Sequence, residues 1–252
     1  MTVDIITANY NYGRFLGACI ESVLHQSYAD WRLWVCDDGS TDGSRAVVAR
    51  YADPRIHWLA GEHSGGPAAP RNRGIRAGSG AYVAIVDADD MLTRDSLEKR
   101  VGCLERTGVD LVCGQTLRVS DTTSLDEAYA IDAAVEVYSF CRMPTLLLKR
   151  SLIEAGGLFD ERLLRYEEKE WLIRLVLSGR PHRKAVLPDV VAYYRVHDAN
   201  ISRRRAADPE TDAARYEAFV GVVSAYAPDF PFARTRRSLR SAMAGSRWCR
   251  PR

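Results

Sequence analysis

The chain of 252 residues is 46% hydrophobic and 27% charged, the proportions of a globular protein with a sizeable core, which excludes a wholly disordered or fibrous chain. Its formal net charge of +2 is unevenly spread: seven arginines and no acid lie between Arg234 and Arg252, leaving 28 basic against 33 acidic side chains before them. A mildly acidic body with a basic end is not a general nucleic-acid binder.

Taken in order, Val3 to Thr7 reads as a short apolar strand, followed by a turn at Asn9 to Gly13. Leu16, Ile20, Val23 and Leu24 then recur at helical spacing and predict an amphipathic helix over 14–26. Arg32 to Cys36 is the second strand, ending in Asp37-Asp-Gly-Ser-Thr-Asp42, where Ser40 or Thr41 is placed to cap a helix over Ala46 to Tyr51. Arg55 to Leu59 is a third strand, giving the strand-helix alternation of a right-handed α/β sheet.

A Gly/Pro-rich loop, Ser64 to Pro70, precedes a helix that starts near Arg71. Tyr82 to Val86 is an apolar strand that runs into Asp87, Asp89 and Asp90. A helix over Asp95 to Arg106 should turn Leu97, Val101 and Leu104 inward, and Asp110 to Cys113 is a strand. Residues 114–143 carry little signal beyond a polar loop at Ser120 to Ser124. A strand over Pro144 to Leu148, a short helix over Ser151 to Ala155 closed by Gly156-Gly157, and an amphipathic helix over Arg165 to Leu177 ended by Gly179 and Pro181 follow. Val186 to Val196 is extended; beyond it lie a basic run, Arg203-Arg-Arg205, and a last helix over Asp212 to Tyr226.

Six cysteines (19, 36, 103, 113, 141, 249) form no CxxC pair and read as reduced thiols of a cytoplasmic protein. Met1 leads directly into a strand, so no leader is expected, and no run of about 18 apolar residues predicts a membrane span.

Three loops end strands on one edge of the sheet: 10–13, 37–44 and 87–90. Ligands of open α/β sheets bind beyond the carboxyl ends of strands. Clustered carboxylates there are a seat for Mg²⁺ or Mn²⁺ with its phosphate oxygens, or, more blandly, a solvated acidic turn. Tyr10 can stack on a nucleobase and Asp38 can accept a base N–H; each is otherwise an ordinary loop residue. No GxGxxG follows the first strand and no Walker loop exists, which disfavours a dehydrogenase or P-loop enzyme. Nucleotidyl transfer lacks its basic glycine-rich loop, and a non-catalytic nucleotide-sugar-binding scaffold stays open.

The chain resembles inverting family-2 glycosyltransferases of the GT-A fold. The resemblance rests on Val3-Asp-Ile-Ile-Thr-Ala-Asn-Tyr-Asn11, Glu21-Ser-Val-Leu-His-Gln-Ser27, Cys36-Asp-Asp-Gly-Ser-Thr-Asp42, Gly65-Gly-Pro-Ala-Ala-Pro-Arg-Asn-Arg-Gly-Ile75 and Val86-Asp-Ala-Asp-Asp90. It continues through Gly156-Gly-Leu-Phe-Asp-Glu161 and Tyr194-Arg-Val-His197. It implies an α/β GT-A fold with a mainly parallel central sheet flanked by helices. Residues 1–113 would form the nucleotide-sugar-binding half, 114–205 the acceptor half and 206–252 a small helical, basic appendage.

Carried over residue by residue, the resemblance implies that Tyr10 and Asp38 hold the base, beside Ala8. Ala8-Asn9 stands where relatives usually have Pro-Thr. Arg71 lies near the base or phosphates. Asp87-Ala88-Asp89 is the DxD-type motif, Asp87 near the ribose and Asp89 the ligand of Mn²⁺ or Mg²⁺, with His197 at the diphosphate or metal or else a structural strand-end histidine. The general base should belong to the pair Glu167-Glu168, where relatives have Glu-Asp. Glu168 shares a stripe with inward-facing Leu172 and Leu175 and is the first choice, Glu167 the second. Glu170, four residues before Arg174, has the spacing of an exposed ion pair. The donor would be a nucleoside diphosphate sugar, UDP-linked by preference. The acceptor is open among glycan, lipid-linked, small-molecule and protein nucleophiles. The basic end admits peripheral contact with the inner membrane face beside its plain reading as a solvated terminus.

Overall fold

The computed structural model describes residues 1–130, 137–138, 143–178, 182–198, 200 and 209–228. The Arg203-Arg-Arg205 run, Gly179, Pro181, Cys141, Cys249 and the arginine-rich end therefore lie outside the described residues.

A nine-stranded sheet runs through the molecule. Its first half is parallel: β1 (Val3–Asn9) lies between β2 (Trp31–Asp37) and β4 (Tyr82–Ile85), with β3 (Ile56–Leu59) outside β2. The connections are α1 (Gly13–Leu24), α2 (Ser44–Val48) and α3 (Ala68–Ala77). Beyond β4 the direction changes. β8 (Leu147–Lys149) is antiparallel to both β4 and β6 (Leu111–Ser120). The long β9 (Lys184–Val196) is parallel to β6, and β5 (Met91–Leu92) closes the edge antiparallel to β9. The two-residue β7 (Val137–Tyr138) pairs with β6. The sheet is thus mixed: wholly parallel in the half where the strand-helix alternation is legible, and with both parallel and antiparallel pairs beyond it.

The four buried positions of β4 explain its place at the centre, since both faces are covered. On one face Leu16, Ile20 and Val23 of α1 pack with Leu97, Val101 and Leu104 of α4 (Ser96–Thr107), as their spacing predicts. On the other face α3 lies so close that a Cβ on Gly74 would stand 2.6 Å from Cys36 Sγ and 2.7 Å from Ile6 Cγ2. Inside α4 the wholly buried Arg100 donates to the carbonyls of Pro144 (3.3 Å), Leu146 (3.0 Å) and Ser96 (3.1 Å). It pins a 3₁₀ turn, Met143–Thr145, where part of a strand was expected. Cys19, Cys36, Cys103 and Cys113 are buried and act as small hydrophobes, and burial pushes the Cys36 thiol up to about 12.

The second half departs further from expectation. β6 extends to Ser120, and α5 (Leu125–Ala130) follows the polar loop. In the first half, too, α2 has no Ser or Thr cap; instead Asp42 accepts the Ser44 N–H at 2.9 Å. After α6 (Arg150–Gly156), closed by Gly157 at φ 75°, come α7 (Glu167–Leu177) and α8 (Pro209–Tyr226). α8 is no loose appendage: its Phe219 and Val223 are buried against Leu163, Tyr166 and Ile173. No helix among the described residues is long and apolar enough to cross a membrane.

Because Gly74 faces two fixed core side chains, Gly74→Val should destabilise the fold by about 1–3 kcal/mol in a urea titration; an unchanged midpoint would contradict the close helix–sheet approach.

Candidate active site

The carboxyl ends of β1, β2 and β4 open on a cleft of about 580 Å³. The register Asn9↔Asp37 brings the first two ends level. Asn9 Nδ2 donates to Asp37 Oδ1 (2.9 Å) and Asp37 Oδ2 accepts the Ser40 N–H (2.9 Å), so Asp37 is spent on closing the turn. Asp38, in contrast, lines the cleft. Its carboxylate, only 3% exposed, accepts the Ser64 hydroxyl (2.7 Å) and backbone N–H (3.1 Å) and meets His63 Nδ1 at 2.9 Å. The exposed Tyr10 ring stacks on His63 with centroids 3.9 Å apart and planes inclined by 16°. Ala8, half-buried, lies on the same wall.

At the end of β4 the three acids have separate duties. Asp87 is half-exposed toward the cleft and accepts from Arg71 Nη2 at 2.6 Å. Ala88 is buried. Asp89 Oδ2 meets His197 Nε2 at 2.9 Å and Asn200 Nδ2 at 3.2 Å. Asp90, buried at the cleft lining, accepts the Arg195 N–H at 2.9 Å. The Arg195 guanidinium then donates to Asp89 O (3.0 Å) and to the carbonyls of Asp121 (3.1 Å) and Thr123 (2.8 Å), fastening the 120–124 loop to the acidic turn. His197 is buried against the rings of Phe15 and Tyr12, and its Nδ1 finds no partner among the described residues.

The opposite wall is the start of α7. Glu167 is buried and hydrogen-bonded to Arg71 Nη1, while Glu168, half-buried, lines the cleft beside it. Arg71 thus bridges Asp87 and Glu167, and only its Nε is left without a partner among the described residues. Both carboxylates raise the Arg71 pKa against the cost of its burial. Glu167 nevertheless goes up to about 8, because burial and the neighbouring Glu168 outweigh an Arg71 charge already shared with Asp87. The loop leading to α7 is clamped from α3: Asn72 accepts the Phe159 N–H (3.0 Å) and donates to the Phe159 carbonyl (2.8 Å). Gly66 lets the 64–67 loop touch this wall, since a Cβ there would lie 2.7 Å from Leu164 Cα.

Every anticipated site residue therefore reaches the cleft or its immediate lining: Ala8, Tyr10, Asp38, Arg71, Asp87, Ala88, Asp89 and Glu168 line it, and His197 buttresses Asp89. One expectation needs correcting. Glu170 is no exposed ion-pair residue: it is 1% exposed, and holds Arg174 at 2.8 Å while Arg174 reaches the carbonyls of Gly156 and Leu158. Arg71 lines the cleft while both Asp87 and Glu167 hold its guanidinium. His63, Ser64, Asn72, Arg195 and Asn200 were not anticipated as site residues; each acts through a partner distant in sequence, although Asn72 follows Arg71 and both Arg195 and Asn200 lie within three residues of His197.

For a divalent cation, the donor set is one carboxylate and one imidazole already in mutual contact. Among the described residues no group of three or more His, Cys, Asp or Glu is placed to hold a metal. The residues thus fit a cation held jointly with substrate phosphates, the usual habit of Mg²⁺, rather than one caged by protein alone.

A half-parallel sheet with helices on both faces and a cleft over its strand ends is the architecture of the GT-A class of glycosyltransferases. The chain belongs to that class's family described as glycosyl transferase family 2, whose family model matches residues 4–154. One relative is UDP-Glc:alpha-D-GlcNAc-diphosphoundecaprenol beta-1,3-glucosyltransferase WfgD of Escherichia coli, 37% identical over 112 residues. The match covers 44% of this chain and 44% of that protein, so it spans under half of the relative's length. Among solved structures, S. aureus TarS 1-349 in complex with UDP superposes with a TM-score of 0.64 at 20% identity, over 94% of this chain and 74% of that one. The mannosyltransferase PcManGT from Pyrobaculum calidifontis, in complex with GDP-Man and Mn²⁺, gives 0.62 at 18% identity, over 96% and 79%.

The raised Glu167 value has a consequence for stability. A carboxyl whose folded pKa lies above its unfolded one favours the fold while protonated; that contribution is complete below the unfolded value near 4.5 and lost as pH rises through about 8. Urea midpoints of the natural protein should therefore fall relative to those of Glu167→Gln between about pH 5 and about pH 9. Parallel profiles would show that Arg71 keeps Glu167 ionised throughout.

Proposed function

We propose that the protein is a metal-dependent, inverting glycosyltransferase that moves a sugar from a nucleoside diphosphate donor, UDP-linked, to an acceptor nucleophile. The observation that carries this reading is the opposition, across one cleft, of the Asp87–Asp89 strand end and the Glu167–Glu168 helix start. The base would lie between Tyr10 and the cleft wall with its N–H toward Asp38, a carboxylate fixed in place by Ser64 and His63. Asp87 would face the ribose. Asp89 and His197 would hold Mn²⁺ or Mg²⁺, which supplies Lewis-acid neutralisation of the departing diphosphate. Glu168 is the general base: its carboxylate takes the acceptor's O–H proton as that oxygen attacks the anomeric carbon. The bond from that carbon to the diphosphate oxygen breaks on the other side, its electron pair leaving with the nucleotide, so one displacement inverts the centre.

PcManGT, of the same fold, is in complex with a nucleotide sugar and Mn²⁺, and TarS with UDP, which supports the donor class. WfgD is named for a lipid-diphosphate acceptor, and together with the arginine-rich end this favours an acceptor at the inner membrane face for a cytoplasmic enzyme. The donor half would be 1–113 and the acceptor half 114–205, with 206–252 shaping the acceptor side.

Glu168→Gln should leave UDP binding intact and lower turnover by about 10²–10⁴-fold; normal turnover would move the base elsewhere. In a thermal-shift panel of UDP, GDP, dTDP and CDP, Mn²⁺ should deepen the shift for one nucleotide only, by mass action on the folded state, and Asp89→Ala should erase the metal-dependent part. No shift with any nucleotide would overturn the donor reading.

A further inference from the structure

The first turn of α7 carries both candidate carboxylates, and the residue that launches it is strained. Tyr166 precedes Glu167 with φ 68° and ψ 11°, in the left-handed region. Among the described residues the other non-glycine residue with positive φ is Asn11, a type that tolerates this conformation; a bulky aromatic does not, and it persists only where its surroundings over-determine it.

Those surroundings come from α8. The Tyr166 ring, buried, meets Tyr216 edge-on at 5.9 Å and Phe219 at 5.6 Å. Phe219, 1% exposed, and Val223 seal the cluster against Leu163 and Ile173. Lys169 Nζ, one turn into α7, stands 4.4 Å over the same ring. Released from this grip, Tyr166 would relax toward negative φ and swing the start of α7. Glu167 would leave Arg71, and Glu168 would leave its place on the cleft wall.

We propose that α8 is a positioning element for the general base, with Phe219 as its positioning residue, acting through the left-handed backbone of Tyr166. This assigns the segment after 205 a part in turnover, and it rests on Glu168 as base.

The test is a cycle in the full chain: Phe219→Ala, Tyr166→Gly and the double variant. Glycine adopts positive φ without strain, so it removes the need for the clamp. UDP affinity with Mn²⁺, UDP release from a panel of UDP-sugars, and hydrogen exchange at the amides of 167–170 are measured for each. Phe219→Ala should lower turnover about tenfold without changing UDP affinity, and should speed exchange at 167–170; on the Tyr166→Gly background the same change should cost less than about threefold. Equal losses on both backgrounds, or a loss that follows UDP affinity, would show that α8 only covers the core and would overturn the proposal. If Phe219→Ala does not fold, Phe219→Leu keeps an apolar filling without the ring face and reads the same non-additivity. Should the natural chain turn over no UDP-sugar, the functional reading fails, and the exchange arm alone decides: unchanged exchange at 167–170 in the Phe219 variant sinks the clamp.

Discussion

The guanidinium of Arg71 sits wholly inside the protein, between the carboxylate at the end of β4 and the first carboxylate of α7. A cation so placed is tolerated only because acids surround it, and each acid is tolerated partly because of the cation. Two stretches 80 residues apart, Asp87 and Glu167, are thereby held on opposite sides of one charge. The floor and the far wall of the cleft are fixed relative to each other by that bridge. Removing Arg71 would leave two acids facing each other without a counter-charge, whereas removing either acid leaves the other paired with the guanidinium but breaks the bridge.

Around it, the loops at the sheet edge are held by side chains that reach backbone groups. Asn72 clamps both polar groups of Phe159, Arg174 takes the carbonyls of Gly156 and Leu158, and Arg195 gathers those of Asp89, Asp121 and Thr123. Loop carbonyls near a sheet edge lack ladder partners, and burying them unpaired would be costly. Long, multidentate donors satisfy several at once, and they fix the loop geometry that carries the site. The result is a cleft made of loops yet held by side-chain bridges, with a strained aromatic at Tyr166.

Local pattern made much of this legible. The strands β1, β2 and β4 and the helices α1 and α4 follow from apolar spacing alone, and the acids at the strand ends are visible as breaks in apolar runs. Residues 114–130 were not legible, because a ten-residue strand with a bulge near Gly114 has neither clean alternation nor an uninterrupted apolar run. Nor was the reversal of direction beyond β4 legible: β8 has three residues and β5 two, and their pairing comes from partners far along the chain.

The site divides the same way. The sequence by itself determined which residue types stand at each strand end, since a carboxylate after an apolar strand has to face the open edge. Tertiary structure decided what each carboxylate does. Glu167, Glu168 and Glu170 fall within one helical turn, and their spacing alone could assign only Glu168 to the cleft. The fold gives Glu170 to Arg174 in a buried pair, Glu167 to Arg71 from 96 positions away, and leaves Glu168 on the open wall. Burial and counter-charge set the chemistry of an acid, and both are supplied by residues that only folding brings near.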